Sequence, residues 1–149
     1  MLREGCARGR APLSGALTKR EDDVSDAAQL KMVERYFELV GATDWAAVSA
    51  LRHDDFVQEW PQMDERTRGR GNARAINEHH PGPPRATVRR LHGAGDICVA
   101  ETTLRYGDGS EWTAAHIFLF KDGKIWRQTD YFGQPLPAPA WRTQWVERM

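Results

Sequence analysis

Cysteine is scarce in this chain of 149 residues, which contains only Cys6 and Cys98. Two cysteines so far apart fit neither a disulfide framework nor a zinc motif, and the patterns C-x-x-C and H-E-x-x-H do not occur. Disulfides are rare in reducing compartments, where unpaired cysteines are the rule. We therefore expect free thiols, no bound metal and a cytoplasmic location.

Long hydrophobic runs and net charge are missing too. No apolar stretch approaches the roughly 18 residues that a transmembrane helix requires, so we expect no membrane segment. The 21 Lys and Arg residues balance the 21 Asp and Glu residues. This neutrality argues against a protein that binds nucleic acid through overall positive charge.

The neutrality is a cancellation between the N-terminal tail and the rest of the chain. Residues 1–20 contain five basic residues against Glu4 alone, which leaves 16 basic and 20 acidic residues in the remainder. The tail is rich in Gly, Ala, Arg and Ser without sustained periodicity, a pattern typical of disorder. We predict a disordered basic tail over residues 1–24 and a single domain over residues 25–149.

Loops that bind nucleotides or present a serine nucleophile are absent as well. The pair Gly69-x-Gly71 lacks the third glycine of a dinucleotide fingerprint, and no G-x-x-x-x-G-K-[ST] segment exists. The pattern G-x-S-x-G is missing too. These absences argue against NAD, ATP and serine-hydrolase chemistry, and we expect no cofactor.

Hydrophobic periodicity predicts helices first and strands afterwards. Apolar residues at helical spacing predict a helix capped by Ser25 and ended by Gly41, and Asp44 caps a second short helix. A strand follows at Phe56–Trp60, and a third helical stretch covers Ala73–Glu78. The later strands are expected at Arg85–His92, Ile97–Tyr106, Glu111–Lys121 and Lys124–Phe132. This order indicates an α+β fold rather than a doubly wound parallel sheet.

Five short stretches carry a family resemblance: Val33-Glu34-Arg35-Tyr36-Phe37, Phe56-Val57-Gln58-Glu59-Trp60-Pro61, Arg68-Gly69-Arg70, Lys121-Asp122-Gly123-Lys124-Ile125 and Thr129-Asp130-Tyr131-Phe132. With them, residues 26–149 resemble the SnoaL-like branch of the nuclear transport factor 2-like superfamily. The resemblance implies a conical, strongly curved antiparallel sheet whose N-terminal helices enclose a pocket, in a homodimer. Because the superfamily contains polyketide cyclases, ketosteroid isomerases, limonene epoxide hydrolases and binding-only members, the fold does not name the chemistry.

Asp130 is the first candidate for pocket chemistry. Alternation along Lys124–Phe132 places Trp126, Gln128, Asp130 and Phe132 on one face of the strand. By resemblance, Asp130 matches a pocket carboxylate of limonene epoxide hydrolases and lies near the acid/base Asp of SnoaL-type cyclases. A carboxylate in an apolar pocket suits general acid work near neutral pH. The alternative is a strand-edge Asp that binds a backbone N–H or pairs with an Arg.

His116 is the second candidate, because it is a polar residue on a strand face with Ala114, Phe118 and Phe120. The resemblance aligns it with the pocket acid of ketosteroid isomerases. An imidazole there can donate a hydrogen bond or shuttle a proton near neutral pH. The alternative is a half-buried histidine bonded to a backbone carbonyl. If His116 and Asp130 face one cavity, they form a plausible acid/base unit.

Two patterns of the superfamily's enzymes are broken in this chain. The proton-abstracting Asp of ketosteroid isomerases matches Trp60, and Glu59 comes one residue earlier, on the opposite strand face unless a bulge re-aims it. The Arg-x-Asp pair of limonene epoxide hydrolases falls on Thr102 and Leu104. Steroid-type isomerisation and epoxide hydrolysis are therefore disfavoured.

These observations predict a SnoaL-like pocket protein that binds a small hydrophobic molecule, with no activity assigned. The alternative is a cofactor-free acid/base enzyme of the polyketide cyclase or isomerase kind, in which Asp130 transfers the proton and His116 or Trp60 orients an oxygenated substrate. Trp141 and Trp145 are expected to seal the cone or a dimer contact. The expected ligand-binding residues are Tyr36, Glu59, Trp60, Thr102, Leu104, Phe118, Trp126 and Phe132.

Overall fold

The N-terminal part of the fold is a long helix. In the computed structural model, residues 18–149 are described, and of residues 18–25 only the helical backbone. Helix α1 spans Thr18–Gly41, so it starts before the predicted cap at Ser25. Residues 18–24 of the predicted tail are therefore helical. Residues 1–17 of the predicted tail lie outside the described residues.

Two shorter helices follow. Helix α2 spans Trp45–Ala50, and its predicted cap is confirmed, because the Asp44 carboxylate accepts a hydrogen bond from the backbone N–H of Ala47 at 3.0 Å. Helix α3 spans Arg70–Glu78. No helix within residues 18–149 is long and apolar enough to cross a lipid bilayer.

A single six-stranded sheet forms the rest of the domain. The strands are β1 Arg52–Trp60, β2 Glu65–Arg68, β3 Arg85–Ala94, β4 Ile97–Arg105, β5 Glu111–Lys121 and β6 Lys124–Gly133. Their order in the sheet is β2-β1-β6-β5-β4-β3, so the sequence neighbours β3 to β6 form a meander, and β1 lies beside β6. All pairs are antiparallel except β1 and β6, which run parallel. The α+β class is confirmed.

Strand β2 lies between the predicted strand Phe56–Trp60 and the predicted third helix, where no strand was expected. Its four residues pair with the end of β1, for example Arg66 with Glu59, yet only the Thr67 side chain is buried. A short polar strand lacks the apolar alternation by which strands are recognised. Pairing with a neighbouring strand, and not local composition, makes this segment extended.

The hairpin between β5 and β6 positions the site. Asp122 and Gly123 form its turn with φ angles of 51° and 69°, as an Asp-Gly pair favours. Near this turn Leu119 pairs with Arg127 and Phe120 with Ile125, which leaves Trp126 without a partner in β5. This bulge bends the strand and shifts its alternation by one residue.

The hydrophobic core lies between the helices and the inner face of the sheet, the face toward them. Val33 from α1, Val48 from α2, Phe56, Phe118 and Ile125 from the sheet are fully buried. Leu30, Phe37 and Val40 of the predicted helix stripe pack against this cluster. The helices therefore cover one part of the inner face and leave another part open as a cavity.

Cys98 lies in this core as a buried free thiol. Burial raises the pKa of its thiol, and the nearby Asp26 carboxylate raises it further. Cys6 lies outside the described residues. The prediction of a free thiol is therefore confirmed for Cys98 only.

Candidate functional site

A cavity of about 570 Å³ opens beside the core, between the inner face of the sheet and the helices. Its walls are mostly aromatic and apolar. They include the rings of Phe37, Trp45, Trp60, Tyr106, Trp112 and Phe132. Such a volume and lining are typical of sites for small organic molecules.

Polar side chains meet at one end of this cavity. Gln58 projects from β1, and Gln128 and Asp130 alternate on β6. His116 of β5 lies directly opposite Asp130 in the antiparallel register. All four side chains are at least nine-tenths buried. Adjacent strands therefore bring four polar groups into an otherwise apolar cavity.

Asp130 is the acceptor at the centre of this group and is 2% exposed. Gln58 Nε2 donates to Oδ2 at 2.7 Å, and Gln128 Nε2 lies 3.0 Å from Oδ1 and 3.1 Å from Oδ2. His116 Nδ1 lies 2.7 Å from Oδ1. Since every partner is an N–H group, the carboxylate acts only as an acceptor. Asp130 is therefore not the strand-edge residue of the alternative prediction, since its partners are neither the backbone nor an Arg.

His116 is bonded through both ring nitrogens. The Asp130 contact assigns a proton to Nδ1, and Nε2 lies 2.9 Å from the Thr102 hydroxyl oxygen. A hydroxyl donates to a neutral imidazole and accepts from a protonated one. The Thr102 side chain can therefore satisfy His116 in both charge states. The partners are side chains and not the backbone carbonyl of the alternative reading.

Tyr36 brings a hydroxyl to the same end of the cavity from α1. It accepts a hydrogen bond from Gln128 Nε2 at 3.2 Å. Burial raises the pKa of Tyr36 above its ordinary value, the Asp130 charge raises it further, and the Arg52 charge and the Gln128 bond oppose them. The phenol is therefore neutral near pH 7, and its own proton is available to a ligand.

Six of the ten candidate residues line the cavity, and four do not. The six are Tyr36, Trp60, Leu104, His116, Asp130 and Phe132. Thr102 lies behind His116, and Phe118 belongs to the core. Whether any of these residues acts on a ligand stays a prediction.

Glu59 and Trp126 lie elsewhere for reasons of strand geometry. Glu59 projects from the opposite face to Trp60 and forms an ion pair with Arg66 of β2. No bulge re-aims it. Trp126 is the unpaired residue of the β6 bulge and packs against the Lys121 ammonium and the Arg127 guanidinium. The expectation that Trp126 shares a face with Asp130 is wrong, because the bulge interrupts the alternation before Gln128.

Gln58 and Gln128 were not predicted as site residues. Strand parity already places Gln128 with Asp130, and Gln58 shares a face with Trp60, so the signal was present in the alternation. Glutamine carries no charge and does not titrate, so a search for acid/base residues does not select it. Both amides bind the Asp130 carboxylate and so fix its position.

The cavity lining holds no Lys or Arg within the described residues, and its carboxylates are Asp130 and Glu65. In residues 26–149 no three His, Cys, Asp or Glu side chains come together as metal ligands do. Trp141 and Trp145 do not line the cavity and are 75% and 71% exposed. They do not close the cavity in this chain, and the dimer contact stays a prediction.

Comparisons with known proteins agree with this architecture. The family model of the SnoaL-like domain matches residues 33–128. An NTF-2 like protein of unknown function from Burkholderia xenovorans is 32% identical, with a TM-score of 0.75 over 86% of this chain and 98% of its own. A Kribbella flavida protein described as a "putative ketosteroid isomerase" is 27% identical, with a TM-score of 0.79 over 84% of this chain and 92% of its own.

An M. tuberculosis epoxide hydrolase of the LEH-like type shares the fold at lower similarity. It is 23% identical, with a TM-score of 0.63 over 72% of this chain and 84% of its own. No curated protein matches the chain. These solved structures share one fold, but the activities given for them differ, and one has no known function.

Proposed function

The chain belongs to the SnoaL-like domain family of NTF2-like proteins, and from that premise we propose that it is a cofactor-free acid/base catalyst for a small, hydrophobic, oxygenated molecule. The observation that carries the proposal is the 2.7 Å contact between His116 Nδ1 and Asp130 Oδ1 inside an aromatic cavity. A buried His–Asp pair in a ligand-sized cavity is one arrangement that supports general acid–base catalysis.

The cavity suits a ligand with one polar end. The aromatic walls bury the apolar surface of the ligand away from water, and a few fixed polar groups orient the ligand. At the polar end of the cavity the Tyr36 hydroxyl can donate to a ligand oxygen, because Gln128 uses it as an acceptor and no described residue accepts its proton. A carbonyl or phenolic oxygen is therefore the expected polar group.

The chemistry proposed is proton transfer at a carbon next to that carbonyl. The Asp130 carboxylate lines the cavity, and His116 Nδ1 donates to it and holds it in place. Asp130 accepts the carbon-bound proton, the C–H electron pair forms the carbon–carbon double bond, and the carbonyl π electrons move onto the oxygen to give an enolate. Tyr36 donates to that oxygen, and Asp130 returns the proton to the product. An isomerase or a polyketide cyclase uses such a step.

Binding without turnover is the second candidate function. The observation that favours it is saturation: both nitrogens of His116 and both oxygens of Asp130 already have partners within the protein. The isomerase and epoxide hydrolase patterns are also broken at Trp60, Thr102 and Leu104. In this case the polar groups orient the ligand, and no proton moves.

The test begins with the ligand. Native mass spectrometry of the purified protein identifies a co-purifying small molecule, and that compound and its oxygenated analogues are assayed for turnover. Asp130→Asn is expected to lower turnover about 100-fold or more with little change in ligand affinity. Glu59→Gln is the matched control, since it changes a carboxylate outside the cavity, and it should leave turnover unchanged. Equal turnover by Asp130→Asn and wild type would remove the acid/base role, and a ligand bound by wild type without turnover would favour silent binding.

We also propose a homodimer in the cytoplasm. Leu136, Trp141 and Trp145 are large apolar side chains exposed on the C-terminal segment, as expected of a surface that another subunit covers. The free thiol of Cys98 fits a reducing compartment. A monomeric mass by light scattering at micromolar concentration would contradict the dimer.

A further inference from the structure

Arg52, at the start of β1, is a buried charge. It is 1% exposed, and within the described residues its Nε, Nη1 and Nη2 atoms have no acceptor in full hydrogen-bond geometry. Its contact with the Tyr36 hydroxyl is at most a weak hydrogen bond, which lowers the Tyr36 pKa. Arginine is almost never buried unless it is paired, because removing its charge from water costs a large amount of free energy. A functional role would give a reason for placing a charge at this buried position.

Two aromatic rings offset part of the free-energy cost of burying the Arg52 charge. The guanidinium carbon lies 4.6 Å from the centre of the Phe56 ring and 5.9 Å from that of Tyr36. Both distances are within the range of cation–π attraction. Arg52 therefore packs against the ring whose hydroxyl reaches the polar end of the cavity.

Asp130 is the only buried acidic side chain in residues 26–149, and Arg52 the only buried Lys or Arg. They form no ion pair. Tyr36 and Gln128 connect them, since Gln128 Nε2 contacts both the Tyr36 hydroxyl and the Asp130 carboxylate. Gln128 Oε1 is likewise buried without a partner among the described residues. The interior thus holds one cation and one anion, with a phenol and an amide between them.

We propose that Arg52 is a positioning residue of the site: its guanidinium is the buried counter-charge of Asp130 and polarises the Tyr36 hydroxyl, which donates to the ligand oxygen. The effect acts through Tyr36, because Arg52 itself does not line the cavity. The role in ligand recognition depends on the function proposed above, whereas the electrostatic coupling to Tyr36 does not.

The coupling has a physical basis in the surroundings of Tyr36. The charged or titratable groups near Tyr36 are Arg52 from β1, Asp130 from β6 and His116 from β5. A cation behind the ring stabilises electron density on the phenol oxygen, so the O–H bond is a better donor to an oxygen that gains negative charge. Arg52 also lowers the Tyr36 pKa against the larger effect of burial.

The test measures Tyr36 in the ligand-free protein, with carbon-13 labelled tyrosine and NMR detection at increasing pH. Tyr36→Phe assigns the signal among the three tyrosines. Arg52→Met removes the charge and keeps an unbranched apolar stem, and we expect it to move the Tyr36 titration to higher pH by about 1 unit or more. Arg127→Met is the matched control: Arg127 also stacks on a ring, Trp126, at 4.7 Å, and has a buried unpaired Nε. It should leave the Tyr36 titration unchanged.

Two further variants cover the case in which Arg52→Met does not fold. Arg52→Lys keeps the charge and should keep the titration close to wild type, and Asp130→Asn removes the anion and should move it to lower pH. A folded Arg52→Met with an unchanged Tyr36 titration overturns the proposal, and so does an Asp130→Asn titration that moves upward or stays in place. With an identified ligand, Arg52→Met is expected to weaken affinity about tenfold. Because the titrations need no ligand, they can succeed even if no turnover exists.

Discussion

Thr102→Val tests whether the hydroxyl behind His116 is a required partner. Valine has nearly the shape of threonine, so the substitution removes the hydroxyl and little else at a position that is 2% exposed. The hydroxyl oxygen lies 2.9 Å from His116 Nε2. With Nδ1 bonded to Asp130, the variant leaves Nε2 buried without a partner.

The expected loss of stability follows from that unpaired nitrogen. A buried polar group that loses its partner costs about 1–3 kcal/mol, and we expect the free energy of unfolding to fall by that amount. Urea denaturation followed by tryptophan fluorescence measures it. Thr103→Val is the control, because the neighbouring side chain points to the other face of β4 and has no bond to His116. It should change stability by less than about 0.5 kcal/mol.

A double-mutant cycle with His116→Phe isolates the pair. Once the imidazole is gone, Thr102→Val should cost markedly less, because no nitrogen remains to be left unpaired. If Thr102→Val alone costs less than about 0.5 kcal/mol, or costs the same with and without His116, the hydroxyl is not the partner that we describe.

Three further predictions concern other parts of the molecule. In the folded state the pKa of Tyr36 is raised above its ordinary value of 10.0. The phenol therefore contributes its full stabilisation to the fold when the pH is below that ordinary value, and the contribution is lost as the pH rises from there toward the folded pKa. Urea denaturation at several alkaline pH values should show a shallower decline for Tyr36→Phe than for wild type, and equal slopes would contradict it. Gly93→Ala would place a methyl group 2.7 Å from Cys98 Sγ, so a loss of about 1–3 kcal/mol is expected. Gly71→Ala lies in the first turn of α3, where a methyl group meets no atom within 4 Å, and should stabilise by about 0.4–1 kcal/mol. Thermal unfolding compares the two variants, and equal effects would refute the steric argument. Trp145→Ser should shift a dimer toward monomer in light scattering at low concentration, and an unchanged mass would remove this side chain from the contact.

Local signals were sufficient for the part of the sheet that carries the site. Strand β5 has the predicted bounds Glu111–Lys121, because glycine-containing turns delimit it on both sides. Alternation along β5 and β6 was enough to place His116 and Asp130 on one face, and the register brings them opposite each other. Both features depend on residues close together in the chain.

The features that were missed depend on distant partners. The bulge at Trp126 arises from how β6 pairs with β5, and nothing in the composition of β6 marks it. Arg52 precedes the predicted strand Phe56–Trp60, whereas β1 begins at Arg52, and packing against the rings of Tyr36 and Phe56 makes this side chain interior. Burial of a charge is decided by tertiary packing, which one sequence without its fold does not reveal.

The two-residue turn at Asp122 and Gly123 also has a consequence for the order of assembly. His116 and Asp130 are only 14 positions apart, whereas Gln58 is 72 positions from Asp130 and Tyr36 is 92 from Gln128. A hairpin closes in microseconds, and contacts between distant segments form later. We therefore expect the contact between His116 and Asp130 to form early, within one local hairpin, and the cavity walls to be completed by segments that join later. Substitutions in those segments can change which molecule fits without rebuilding the pair that would act on it.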